Sequence, residues 1–158
     1  MGKIVFSLIA IFIVLIDQLT KVFVNSHISL GQVMFEAGFF RIILVHNTGA
    51  AFGLFPEGTL FLIIIRSIGV IIILIAVFAY GKIILKWAGQ LGMLTLGLIM
   101  GGTIGNLIDC LRLGYVIDFI DLTYWPVFNV ADSSIVIAMF LSAYLLFRIS
   151  RAEKKHSG

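Results

Sequence analysis

The chain has 158 residues, 61% of them hydrophobic and only 12% charged, with a mean hydropathy of +1.15. A water-soluble domain of this size carries about twice that charged fraction, so the composition excludes a soluble globular class and fits one membrane-embedded domain, residues 1–158. The net charge of +3 is better explained by topology than by nucleic acid; one cysteine excludes an internal disulfide framework, and three histidines share no metal-ligand spacing.

Four apolar stretches are long enough to cross a hydrocarbon core, which takes about 20 helical residues. They lie at about residues 4–24, 60–80, 88–108 and 133–150. The expected fold is therefore an all-α integral membrane protein with four transmembrane helices, joined by one short turn at residues 81–87 and two long connections on the opposite side. Lys3, Lys82, Lys86, Arg148, Arg151, Lys154 and Lys155 fall on the side of the termini and the short turn, whereas every acid except Glu153 falls on the other. The positive-inside rule then puts both termini in the cytoplasm and both long connections outside. Lys3 before an apolar run also resembles the start of a secretory signal, but no A-x-A-like cleavage site follows, so the run is read as a retained span.

The first span is apolar until Asp17 and Lys21, four residues apart with the acid N-terminal, the favourable order for an ion pair on one helix face. Two roles remain open for them: Lys21 snorkelling outward with Asp17 as its counter-charge, or a direct part in a site. Arg66, about two turns into the second span, reads as a second snorkelling residue. Residues 25–57 are expected to form a small β-rich segment outside the membrane. Within it, the aromatic and β-branched run from Phe39 to Val45 reads as a strand between glycine breakers. The run HNTGAAFG that follows, with Asn47 and Gly49, offers a backbone that another chain can approach closely.

In the third span Gly97, Gly101 and Gly105 recur at intervals of four, a G-x-x-x-G face for close helix packing. The same face continues to Asp109, with Asn106 three residues before it. Beyond Arg112 and Gly114, the run from Tyr115 to Ile120 is strand-like and apolar except at Asp118. Tyr124, Trp125 and Pro126 form an interfacial belt, and Asn129 and Asp132 open the fourth span. Asp132 is well placed as an N-cap by position alone. Half of the eight acids lie between Gly101 and Asp132. Carboxylates at the mouth of so apolar a protein need either a structural partner or a chemical task.

Taken together, DQLTK at residues 17–21, NTGAAFG at 47–53, GGTIGNLID at 101–109, VIDFID at 116–121 and FNVAD at 128–132 resemble, in order and across the whole chain, the bacterial lipoprotein signal peptidases, also called signal peptidase II. The resemblance implies an integral-membrane aspartic endopeptidase of the bacterial inner membrane whose site lies near the outer face. It assigns the catalytic pair to Asp118 and Asp132. Around them it places Asp17, Lys21, Asn47, Gly49, Asn106, Asp109, Arg112 and Asn129 as substrate-binding or supporting residues. It implies no cofactor and no metal. Its substrates are prolipoproteins carrying a diacylglyceryl group, cut just N-terminal to the lipidated cysteine; its other partners are membrane lipids, and it is expected to act as a monomer. One departure stands out: Cys110 occupies the place of an arginine usual in that family. If the site is otherwise built alike, Cys110→Arg should be accommodated.

Two carboxylates held close in a partly dry site cannot both ionise, so one keeps a proton. The ionised member can activate water while the protonated one polarises the scissile carbonyl. Two other classes compete, a small proton-coupled transporter subunit and a non-enzymatic scaffold. Transporters bind near the midplane between internal repeats, whereas here the acids cluster at the rim and no repeat relates the halves. A scaffold leaves Asp118 unexplained.

Overall fold

The computed structural model describes residues 1–49 and 58–156. Helix α1 spans Gly2–His27, strands β1 and β2 span Val33–Ala37 and Phe40–Asn47, helix α2 spans Gly58–Leu113, strand β3 spans Val116–Asp121, and helix α3 spans Val130–His156. Residues 50–53 of the small-residue run lie outside the described residues.

Among the described residues three helices are long and apolar enough to cross a membrane. The second of them is not one rod. At 1.5 Å per residue its 56 residues would extend about 84 Å, yet its ends meet: the Thr59 hydroxyl donates to the Gly114 carbonyl at 2.7 Å. The reversal is at Gly89, whose φ of 66° and ψ of −158° lie in a region essentially reserved for glycine. The turn predicted at residues 81–87 is helical instead. No proline interrupts that stretch, and the break falls on the residue without a Cβ, two positions after Trp87. The chain therefore forms a helical hairpin with arms on either side of Gly89. The arms pack on each other and on α1 through Ile73, Val77, Met93, Met100, Phe6 and Ala10.

The predicted glycine face is where α1 meets the second arm. A Cβ at Gly97 would lie 2.8 Å from the Phe6 carbonyl oxygen, one at Gly101 2.8 Å from that of Ala10, and one at Gly105 2.5 Å from Asp17 Oδ2. A Cβ at Gly102 would point toward α3 instead, 2.5 Å from the Ala131 carbonyl oxygen. The glycines thus let three backbones converge at one level. Large side chains elsewhere point outward, among them Leu8, Ile11, Leu15 and Leu19 on α1 and Ile64, Ile68, Ile71 and Ile75 on α2. Such a surface suits a bilayer as solvent and makes this a membrane protein.

The three strands form an antiparallel sheet in the order β1-β2-β3, with Arg41 opposite Asp121 and Val45 opposite Asp118. β1 and β2 are the arms of a hairpin turned at Gly38, where φ is +61°. The sheet rests on the end of α1: Val24 packs with Leu44, Ile117 and Phe119. Phe128 covers the outer edge of β3 by pairing with Ile120. The C-terminal end of α1, the end of the second arm, the N-terminus of α3 and the strand β3 all converge here, and the candidate site lies at this junction.

Candidate active site

Lys21 does not snorkel. It is 1% exposed, and its three ammonium hydrogens have three acceptors: Asp17 Oδ2 at 2.8 Å, Asp109 Oδ2 at 2.9 Å and Asn106 Oδ1 at 2.9 Å. Asp17 reaches further. Its Oδ1 accepts the backbone N–H of Ala131 at 2.9 Å, satisfying a free amide in the first turn of α3. Asp109 Oδ2 also accepts the Ile117 N–H at 3.1 Å, so the end of α2 holds β3 in place. The sequence did not single out Gln18. Its Nε2 donates to Asp109 Oδ1 at 2.9 Å and to the Gly105 carbonyl at 3.1 Å. Its place inside DQLTK, between two charged neighbours, was the available signal.

Next to this clamp stand Asp118 and Asp132. Asp118 is 1% exposed and on β3, with its Oδ2 accepting from Asn47 Nδ2 at 2.8 Å and its Oδ1 from Asn129 Nδ2 at 2.7 Å. Asn47 is itself oriented: its Oδ1 accepts the Gly49 N–H at 2.9 Å, in a turn where Gly49 has φ +73°. The other amide end of Asn47 is thereby aimed at Asp118. Asp132 Oδ1 accepts from Asn106 Nδ2 at 2.8 Å, and Asn106 in turn accepts from Asn129 Nδ2 at 3.0 Å. One asparagine pair therefore ties both carboxylates together.

The capping role expected of Asp132 belongs to Asn129. Helix α3 begins at Val130, one residue past Asn129, whose Oδ1 accepts the Asp132 N–H at 2.9 Å. Asp132 Oδ2 reaches back to the Asn129 N–H at 3.3 Å, the reciprocal arrangement of a capping box. Asp132 thus sits in the first turn, where the helix dipole favours a negative charge.

The environments of the acids differ. Burial pushes the Asp118 carboxyl up to about 6 from 3.8, against the hydrogen bond from Asn47 and with help from the negative charge of Asp132. Asp121, at the sheet's far end, goes the other way. The Thr123 N–H and the paired Arg41 hold its carboxyl below the ordinary value. Arg41 Nε donates to it at 2.9 Å, a cross-strand ion pair that ties β2 to β3. An apolar cavity of about 360 Å³ opens beside Asp132, lined by Leu122, Trp125, Phe128, Ser133, Val136 and Ile137. Among the described residues no group of three His, Cys, Asp or Glu side chains is placed to hold a metal ion. The arrangement sets two carboxylates, one with a raised affinity for its proton, beside an apolar wall.

Of the candidate residues, Asp17, Lys21, Asn47, Gly49, Asn106, Asp109, Asp118, Asn129 and Asp132 form one hydrogen-bonded assembly. Arg112 stands apart, exposed at the end of α2. Arg66, half-buried on the facing arm, donates from its Nη1 to Cys110 Sγ at 2.6 Å. The space next to Cys110 that the sequence left open for a longer side chain is therefore filled by a guanidinium from the facing arm.

A family profile described as signal peptidase (SPase) II matches residues 9–148. The lipoprotein signal peptidase of Dehalococcoides mccartyi is 43% identical over 145 residues, 92% of this chain and 87% of its own length. That of Moorella thermoacetica is 40% identical over 142 residues, 89% of this chain and 91% of its own. A solved bacterial membrane enzyme superposes with a TM-score of 0.76 at 32% identity, over 88% of this chain and 90% of that one. None of these comparisons supports a transporter. The chain, with its two amide-bound carboxylates at the junction of three helices and a sheet, belongs to the signal peptidase II family of lipoprotein-processing peptidases.

Proposed function

We propose that this peptidase is of the aspartic type and removes the signal peptide from diacylglyceryl-modified prolipoproteins, cutting N-terminal to the lipidated cysteine, with Asp118 and Asp132 as the catalytic pair. The observation that carries this reading is the shared asparagine, Asn129, which bonds both carboxylates while no cation pairs with either among the described residues. Burial, with the negative charge of Asp132, raises the Asp118 carboxyl to about 6, so it gives up its proton less readily than an ordinary carboxylate. The ionised member takes a proton from water as it attacks the scissile carbonyl. The protonated member donates to the carbonyl oxygen and then to the leaving amine. Asn47 and Asn129 hold Asp118 at a fixed angle, Asn106 does the same for Asp132, and the apolar cavity beside Asp132 receives an apolar side chain or an acyl chain.

The hairpin in α2 supports four crossings, one for each arm, with Gly89 at the cytoplasmic turn beside Lys82 and Lys86. Both termini are then cytoplasmic, and the sheet and site lie at the outer face in contact with membrane lipids. A monomer is the working unit in this reading. A cysteine at Lys82 in a Cys110→Ser background should resist an impermeant thiol reagent in intact cells, and one at Ser29 should react. Labelling at Lys82 would reverse the orientation.

The test of function is cleavage of a diacylated lipopeptide by the purified protein. Asp118→Asn and Asp132→Asn should each lower turnover by about 10²–10⁴-fold, the usual contribution of a positioned acid or base. Both variants should still insert and accumulate, because asparagine keeps the shape and can still accept a hydrogen bond. Wild-type turnover by either variant would sink the two-carboxylate mechanism.

A further inference from the structure

A guanidinium inside an apolar helix is expensive, and such groups are found paired or facing a functional cavity. Arg66 lies seven residues into α2 from Thr59, about 10 Å along the axis from the junction of Thr59 with Gly114. It is half-buried. Among the described residues its protein partner is the Cys110 thiol, a weak acceptor, and it forms no ion pair with them. Three of the charged side chains near this end, Lys21, Asp17 and Asp109, are fully paired. Among the described residues, one of the five donors of Arg66 bonds the Cys110 thiol. Its position ties it to the site: Cys110 follows Asp109, and the Asp109 carboxylate holds the Ile117 N–H, one residue before Asp118.

Accordingly, we infer that Arg66 is a substrate-anchoring residue whose guanidinium N–H groups bind the ester carbonyl oxygens of the substrate's diacylglyceryl group. This rests on the peptidase reading above. The ligand must bring oxygen acceptors into an apolar surface, and it must bring apolar chains with them. A glyceryl diester does both. The planar fork of arginine can serve two carbonyl oxygens at once, which a lysine ammonium cannot do with the same fixed geometry. The Cys110 thiol engages Nη1 alone.

The experiment uses the full-length protein in a phosphate-free maltoside detergent, with two lipopeptides that differ only in diester or diether linkage of the two chains. The diether keeps the apolar chains and removes the carbonyl oxygens. Wild-type protein should show a KM about 10- to 100-fold lower for the diester, the range that charge-assisted hydrogen bonds supply. Arg66→Met should lose that preference, its KM for the diester rising to the diether value with kcat little changed. Arg66→Lys, which keeps the charge and the fold should methionine not be tolerated, should keep a reduced preference. Equal KM for the two substrates in the wild-type protein would overturn the inference. So would an Arg66→Met or Arg66→Lys protein, folded by its melting curve, with the full wild-type preference. A preference that appears only when phospholipid is added would assign Arg66 to a headgroup and likewise overturn it. Failure of the peptidase reading is distinct: the wild-type protein would then cleave neither lipopeptide.

Discussion

Asp17 and Asp109 close on the ammonium of Lys21, whereas Asp118 and Asp132, a few residues away in the same junction, receive only N–H groups of amides. Both pairs are held by asparagine or glutamine, and both sit where glycines let the backbones converge. The difference is the cation. A buried carboxylate bonded to a buried ammonium acts as a strut, here between α1, the end of α2 and α3. A buried carboxylate facing amides and a second carboxylate keeps its proton more readily. The same residue type thus serves as mortar in one place and as a titrating group in the other, and burial alone does not separate the two roles.

The sharpest way to break this contrast is to remove the cation. Lys21→Met leaves Asp17 and Asp109 buried without a counter-charge and should cost about 3–5 kcal/mol, the penalty for splitting a buried pair. The expected readout is loss of accumulated protein and a much lower melting temperature in detergent. A stable, active Lys21→Met protein would show that the strut is not needed.

A smaller, pH-dependent effect is expected at Asp118. Its folded pKa of about 6 lies above the unfolded value of 3.8, so the native state binds the proton more tightly. The sign follows: stability is full below about pH 4, falls as pH rises to about 6, and is then flat. Asn at 118 cannot ionise, so the stability of Asp118→Asn relative to the parent should rise by at most about 3 kcal/mol between pH 4 and above pH 6. That rise is offset at every pH by the cost of turning one amide NH2 toward the Asn47 or Asn129 donor. Melting curves across that range decide it. No pH-dependent difference would mean that Asp118 is solvated like an ordinary surface acid. The least effect is expected from Asp121→Asn. It breaks the pairing with Arg41 at the sheet's far end and should leave cleavage close to wild type; a large loss of turnover would bring Asp121 into the site.

The apolar runs made the helices legible, and two of the strands were visible because Phe40–Asn47 and Val116–Asp121 carry β-branched and aromatic residues. β1 was hidden: VMFEA is mostly exposed and has no two-residue alternation to announce it. The hairpin turn was misplaced because lysines and tryptophan at residues 82–87 look like a polar loop, although nothing there forbids helix and the strained conformation waits for Gly89. Asp17 and Lys21 at helical spacing look the same whether they face water or the interior; only the arrival of Asp109 and Asn106 from α2 decides it. Asn129 and Asp132 both carry the side chains of an N-cap, and the helix start at Val130 gives the cap to the former. Cys110 and Arg66, 44 residues apart, could not be paired by pattern at all.

The grip of Asp17 on Ala131 also bears on how the protein is made. α1 leaves the ribosome before α2 and α3, yet the partner of Gln18 at Asp109 comes 91 residues later and the amide that Asp17 accepts comes 114 residues later. Through most of synthesis, the only partner that Asp17 and Lys21 have for their charges is each other, one turn apart on the same helix. That local pair lets the first helix enter the membrane nearly neutral and wait. The last helix then docks its free first-turn amides onto a carboxylate already in place. Assembly of the junction is therefore timed by α3, so a nascent chain cannot form the complete site before that helix has been made.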